Sequence, residues 1–148
     1  MCRYDAQQLS LIEKGALRLG LTNITVAARD GRDFDPALED VADRVLCDVP
    51  CSGFGVLAKK PEIRYKDLSD IARLPDIQLD ILENACRYVK SGGVLVYSTC
   101  TLNPRENNEI AARFLSEHPD FEGVPLTLPD GVERAFDEQA YEITLMPH

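Results

Sequence analysis

Val94-Leu95-Val96-Tyr97-Ser98-Thr99-Cys100-Thr101 contains the clearest strand of the chain, Val94 to Ser98, and it runs out onto a cysteine. Its apolar, β-branched run is what a buried parallel strand requires. Upstream, Arg44-Val45-Leu46-Cys47-Asp48 reads as a second buried strand, ending in a carboxylate and followed by Val49-Pro50-Cys51-Ser52-Gly53. Between the two lies a helix. After Pro75, the residues Ile77, Ile81, Leu82, Ala85 and Val89 share one face, and Ser91-Gly92-Gly93 is expected to stop it. Strand, helix and strand in that order predict an α/β class with a mostly parallel sheet. Consecutive strands of such a sheet usually lie side by side. Ligands and chemistry gather at their carboxyl ends.

Working outward, Leu9, Ile12, Ala16 and Leu19 recur at helical spacing, and Gly20 is placed as a C-cap, which predicts a helix over about 6–19. Ile24–Ala27 is expected as a short strand, closed by Arg29-Asp30-Gly31-Arg32. A brief helix is expected over Pro36–Val41. Ser52 to Arg73 reads as a long polar loop with one helical turn near Leu68–Ala72, of a length that is usually either functional or disordered. Asn103-Pro104-Arg105-Glu106 has the form of a helix start, with Asn as cap, Pro first and Glu three residues after the cap. Ile110, Ala111, Phe114 and Leu115 give that helix its apolar stripe, ending near Glu117. Phe121–Val124 and Ile143–Met146 are expected as strands, with a turn at Pro129-Asp130-Gly131.

The chain has 148 residues, 45 % of them apolar, enough for one domain with a core. It has no apolar run of membrane-spanning length and no signal-peptide core at its start, and a cytoplasmic location is expected. Its net charge of −9 argues against a broad basic face for nucleic acid. Lys59, Lys60, Arg64 and Lys66 form a local exception, opposed only by Glu62. The five cysteines have no disulfide-framework spacing. His118 and His148 fall outside any ligand pattern, and no metal is expected. Cys47 and Cys86 read as core residues.

Cys100 follows a strand and precedes a capped helix, where a helix N-terminus favours thiolate. It is either a nucleophile or a small hydrophobe closing a strand end. Cys51 lies in a turn made rigid by Pro50 and mobile by Gly53 and Gly55. Asp48, the Pro50 carbonyl and Cys51 together can grip a flat polar heterocycle, although Asp48 can equally cap the turn. Taken together, two thiols at neighbouring strand ends face one cleft. One can attack an electrophilic carbon while the other accepts or returns a proton.

Asp48 to Gly55, Lys59-Lys60-Pro61-Glu62, Ser91 to Cys100 and Glu106-Asn107 resemble the RNA cytosine-5 methyltransferases, most closely the bacterial branch that modifies 16S ribosomal RNA (the Sun or Fmu type). Arg18 to Ile24 and Leu145-Met146-Pro147-His148 also fit. The resemblance implies a class I, Rossmann-like fold and S-adenosyl-L-methionine as cofactor. It implies that Cys100 adds to C6 of a cytosine, that Cys51 assists release, and that Asp48 stands between cofactor and base. It further implies that Asp30 accepts from the cofactor's adenine amino group and that Pro50, Lys59 and Lys60 meet the RNA. The base must be single-stranded or flipped out to reach such groups.

The same resemblance places the family's first strand and glycine-rich cofactor loop upstream of Met1, its ribose-binding acid at a position held here by Arg3 or Tyr4 with Asp5 close by, and its terminal hairpin beyond His148. The chain is therefore read as a partial catalytic domain over 1–148, not expected to be active alone. The alternatives are a non-catalytic RNA-binding or assembly remnant, and a methyltransferase acting on an exocyclic or side-chain nitrogen. The latter has no need of a thiol at Cys100.

Overall fold

The computed structural model describes residues 6–136 and 138–146. Its centre is a parallel pair of strands, β1 (Ala42–Asp48) and β2 (Val89–Ser98), in register from Arg44↔Val94 to Asp48↔Ser98. Four α-helices are described: α1 (Ala6–Arg18), α2 (Leu68–Ala72), α3 (Leu74–Cys86) and α4 (Asn108–Glu117). Parallel strands need a long crossover, and α2 and α3 lie within it. The α/β class and the side-by-side pairing of the two cysteine-ending strands are as the sequence predicts.

The core lies between α3, α4 and one face of the sheet. Leu79, Leu82, Ala85 and Cys86 of α3 meet Cys47 and Val49, with Ile110 and Phe114 of α4 completing the cluster. Val45, Leu95 and Tyr97 pack against it from the strands. The alternation of strand side chains sends Leu46 and Val96 to the opposite face, where they are 68 % and 46 % exposed. Burial of both faces was expected from their apolar runs. Among the described residues, the helices cover only one.

The face of α3 also differs from expectation. Gln78 and Leu79 are buried while Ile77 and Ile81 are only half-buried, because Gln78 reaches inward to the loop after β1. The helix ends at Cys86, so Val89 belongs to β2, and Ser91-Gly92-Gly93 is not a helix stop but an irregularity inside the strand. From Ala42 to Arg44 β1 advances two residues while β2 advances five, from Val89 to Val94. Gly92 takes φ +77°, and a Cβ on Gly93 would lie 2.7 Å from Val89 and 2.8 Å from the Lys90 carbonyl. This bulge needs both glycines.

Elsewhere α1 ends as predicted. Gly20 is left-handed, its N–H donates to the Leu17 carbonyl, and Leu21 N–H donates to the Ala16 carbonyl, which is the Schellman pattern. The helix expected over Pro36–Val41 is a single 3-10 turn, Pro36–Leu38. The long loop carries two further 3-10 turns, Phe54–Val56 and Pro61–Tyr65, besides α2. Residues 24–27, 121–124 and 143–146 form no strand. None of them joins a ladder among the described residues, and an extended segment without a partner gains nothing from β geometry. The Pro129-Asp130-Gly131 turn is present, closed by Val132 N–H on the Pro129 carbonyl. No described helix is long and apolar enough to cross a membrane.

Candidate active site

The parallel register sets Asp48 beside Ser98, and the chain leaves both strands on the same side. Val49 N–H donates to the Ser98 carbonyl, which extends the ladder one step toward the cysteines. Beyond it the loop after β1 folds onto the loop after β2. Gly55 N–H donates to the Cys100 carbonyl at 3.1 Å, and the hydroxyls of Ser52 and Thr101 share a hydrogen bond of 2.7 Å. Gly53 makes the turn possible with φ +80°, and a Cβ there would lie 2.9 Å from Ile63.

These contacts bring Cys51 Sγ to 3.1 Å from Cys100 Sγ, and Cys100 N–H donates to Cys51 Sγ at 3.3 Å. The shared cleft expected from sequence is thus a thiol pair in direct contact. Cys100 is exposed and Cys51 half-buried. Burial, and then the neighbouring Cys100 thiol, push the Cys51 thiol up to about 11, so Cys51 keeps its proton at neutral pH and can donate it toward Cys100. Cys100 is the more accessible of the two sulfurs. Cys47 and Cys86 are buried in the core, as expected, and burial followed by the nearby Cys86 pushes Cys47 up to about 11. Cys2 and His148 lie outside the described residues.

The other predicted site residues separate into those that face outward and those already engaged. Asp48 is exposed at the strand end and accepts a hydrogen bond from Ser98 Oγ at 3.2 Å. Lys59 and Lys60 are exposed. Lys66, grouped with them by sequence, is engaged inside the loop, where its Nζ donates to the Ser52 carbonyl at 2.8 Å. Gln78 Nε2 donates to the Pro50 carbonyl at 2.8 Å, so that carbonyl has one lone pair left for a ligand. Asp30 accepts from the backbone N–H, Nε and Nη2 of Arg32, and this pairing holds its carboxyl well below the usual range. Its loop is fixed to α3 by Asn84, whose amide donates to the carbonyls of Gly31 and Asp33.

The expected helix start is interrupted. Pro104–Glu106 forms a 3-10 turn capped by Asn103, and Asn107, at φ −121° and ψ −103°, breaks the path before α4 opens at Asn108. Glu106 was read as part of a capping box but is fully buried. Its Oε2 accepts from Ser52 N–H at 2.8 Å and Gln78 Nε2 at 3.0 Å, and its Oε1 accepts from Asn103 Nδ2 at 2.8 Å. Asn107 gives α4 no side-chain cap. Instead its Oδ1 accepts from Thr99 Oγ1 at 2.6 Å and its Nδ2 donates to the Thr101 carbonyl at 3.0 Å. Sequence reasoning missed both roles. The one available signal was a glutamate-asparagine pair directly before an apolar helix.

Among the described residues, no cluster of three or more His, Cys, Asp or Glu side chains could hold a metal ion.

The profile of the family described as 16S rRNA methyltransferase RsmB/F matches residues 2–148. The probable ribosomal RNA small subunit methyltransferase B of Bacillus subtilis (strain 168) is 44 % identical over 146 residues, which is 95 % of this chain and 32 % of that protein. Ribosomal RNA small subunit methyltransferase F of Erwinia tasmaniensis is 38 % identical over 148 residues, 98 % of this chain and 31 % of that protein. Among solved structures, PH0851 superposes with a TM-score of 0.82 at 33 % identity, covering 90 % of this chain and 30 % of that one. NSun6 from Pyrococcus horikoshii, solved with SFG, gives 0.63 at 31 % identity, covering 76 % of this chain and 29 % of that one. The chain therefore spans about a third of the length of the curated relatives it matches. Its strands, crossover and thiol-bearing loops are part of a Rossmann-like methyltransferase fold, and the chain belongs to the 16S rRNA methyltransferase RsmB/F family.

Proposed function

We propose that this chain carries the reactive centre for transfer of a methyl group to C5 of a cytosine in 16S ribosomal RNA. The observation that supports the reading best is the contact between Cys51 and Cys100, 3.1 Å apart at the ends of adjacent parallel strands. A methyl acceptor at ring carbon is unreactive until a nucleophile adds beside it. Cys100 Sγ, the exposed thiol, gives up its proton to solvent and adds to C6 of the cytosine: the S–C6 bond forms and the C5–C6 π electrons move to C5. S-adenosyl-L-methionine, when bound, supplies the methyl group that C5 receives. The C5 proton then passes to water, the C5–C6 double bond re-forms and the S–C6 bond breaks, releasing Cys100 as thiolate. Cys51, which holds its proton at neutral pH and touches Cys100, assists this release by donating its S–H as a hydrogen bond to the departing sulfur, whose thiolate it stabilises without giving the proton up.

The residues present suit part of the cofactor site. Asp48 is exposed at the carboxyl end of β1, beside the thiols in sequence and next to Ser98, where it can face both cofactor and base. Asp30 can accept from an adenine amino group once Arg32 releases it. SFG in the NSun6 structure is an analogue of S-adenosylmethionine, which supports the same cofactor here. On the RNA side, Pro50 borders the base and the exposed Lys59 and Lys60 meet phosphates, which position the strand without reading its sequence.

The test is covalent trapping. In a protein of the relatives' full length that contains this chain, given S-adenosylmethionine and 16S-derived RNA carrying 5-fluorocytidine at the acceptor, the C5 substituent cannot leave as a proton, and an adduct stable to denaturing electrophoresis is expected. Cys100→Ala abolishes it. An adduct that survives Cys100→Ala sinks the assignment of the nucleophile. RNA retained without any adduct supports the non-catalytic reading instead.

A further inference from the structure

Glu106 and Asn107 are neighbours in sequence, yet each turns away from the helix it introduces. Asn is among the best N-cap residues, and a Glu three residues after a cap normally returns to the cap's N–H. Neither does this here. Glu106 accepts from Ser52 N–H, the peptide group directly after Cys51, and from Gln78, which also holds the Pro50 carbonyl directly before it. Asn107 holds the Thr99 hydroxyl and the Thr101 carbonyl, one on each side of Cys100. A buried carboxylate thus grips the peptides flanking one thiol, and an amide grips the residues flanking the other. Cross-links between the two loops, Ser52 to Thr101 and Gly55 to Cys100, complete the frame.

We infer that Glu106 and Asn107 are positioning residues that hold the two sulfurs in contact, Glu106 acting through the backbone on either side of Cys51 and Asn107 through Thr99 and Thr101 on either side of Cys100. The inference deepens the proposed function and rests on it for its meaning. Its test involves neither RNA nor S-adenosylmethionine, so failure of one does not imply failure of the other.

The experiment measures thiol placement by disulfide exchange with oxidised glutathione, on the whole chain. The exposed Cys100 thiolate attacks first, forming a mixed disulfide and expelling one glutathione thiolate. Cys51 then loses its proton to solvent and attacks the Cys100 sulfur, expelling the second glutathione. Two protein thiols are oxidised and one glutathione disulfide is reduced to two thiols. The first step reports the accessibility of Cys100, and the second reports how well the sulfurs are held together.

Ring closure is expected to slow by about tenfold or more in Glu106→Gln and in Asn107→Asp, with the first step changed by less than about twofold, because small displacements of preorganised groups are costly. Thr99→Val, which removes the hydroxyl that Asn107 holds, should slow closure similarly, and Thr99→Ser should restore it. In a Cys100→Ser background, Glu106→Gln should raise the alkylation rate of Cys51 while Asn107→Asp leaves it unchanged, which assigns one residue to each thiol. Should Glu106→Gln fail to fold, Gln78→Met, which keeps the shape and drops the amide, tests the same grip. Parental closure rates in the folded variants overturn the inference. So does simultaneous loss of protection of Cys47 and Cys86, which would make the network a support of the whole core.

Discussion

Gly55→Ala tests the close approach on which the site depends. A methyl group on Gly55 would lie 2.9 Å from the Cys100 carbonyl oxygen and 3.4 Å from its carbon, with Leu102 Cγ at 3.7 Å. The first two are backbone atoms and cannot swing away, so one loop must retreat from the other. The retreat breaks the 3.1 Å hydrogen bond from Gly55 N–H to that carbonyl. Losing the bond costs about 1 kcal/mol, and forcing a methyl into a closed contact costs about 1–3 kcal/mol. The stiffer unfolded chain offsets about 0.4–1 kcal/mol of this. The net destabilisation is then roughly 1–3 kcal/mol, which for a urea m-value of about 2 kcal/mol/M lowers the midpoint by roughly 0.5–1.5 M. Equilibrium urea unfolding followed by far-ultraviolet circular dichroism reads this directly. Gly15→Ala is the control: it lies inside α1 with nothing within 4 Å of its added methyl and should stabilise by about 0.5–1 kcal/mol. A Gly55→Ala midpoint within about 0.2 M of the parent would refute the argument that the two loops are locked at this contact.

Two further outcomes follow from the thiols. At about pH 8, with its thiol pushed up to about 11 by burial and by Cys100, Cys51 carries on the order of a hundredfold less thiolate than an unperturbed cysteine. Iodoacetamide labelling resolved by peptide mass spectrometry should therefore show Cys100 modified well before Cys51, and Cys51 reacting as fast as in urea would contradict the burial. Cys47 and Cys51 are both raised from an ordinary 9.0 to about 11, the first by burial and then Cys86, the second by burial and then Cys100. The unfolded chain loses these protons near pH 9 while the folded chain keeps them to about pH 11, so their contribution is complete below pH 9 and is lost as the pH climbs to 11. Burial, and then Glu106, raise the Tyr97 phenol as well, which adds to the fall in the upper part of that window. Urea midpoints should drop across it, and Cys47→Ala should flatten the slope; an equal slope in that variant would remove Cys47 from the account.

What the sequence disclosed was what short-range pattern can carry. Val94 to Ser98 and Arg44 to Asp48 are strands and Gly20 closes α1, because each of these follows from residues within a few positions, and the meeting of the cysteine-bearing ends follows from the general pairing of consecutive parallel strands. The capping motif at Asn103-Pro104-Arg105-Glu106 was visible too, but its use was not. Glu106 bonds to Ser52 and Gln78, and such partners are close only after the crossover has folded. Ser91-Gly92-Gly93 misled for a related reason: glycines that end a helix also allow a bulge, and only pairing with β1 distinguishes them. Ile24–Ala27 has strand composition and no partner among the described residues. Asp30 illustrates the opposite case, since its observed partner Arg32 is only two residues away in Arg-Asp-Gly-Arg.

The bulge in β2 has a consequence for how this part of the family can vary in length. Between Val94 and Ser98 every residue is matched to a partner on β1, and inserting one there would flip the side chains beyond it to the other face and carry Cys100 away from Cys51. At Ser91 to Gly93 the chain already holds more residues than its partner strand can match, so an insertion or deletion there enlarges or shrinks a loop and leaves the register downstream untouched. Length changes between α3 and β2 are thereby decoupled from the placement of the two thiols, and relatives should differ in length at the bulge and agree residue for residue from Val94 to Cys100.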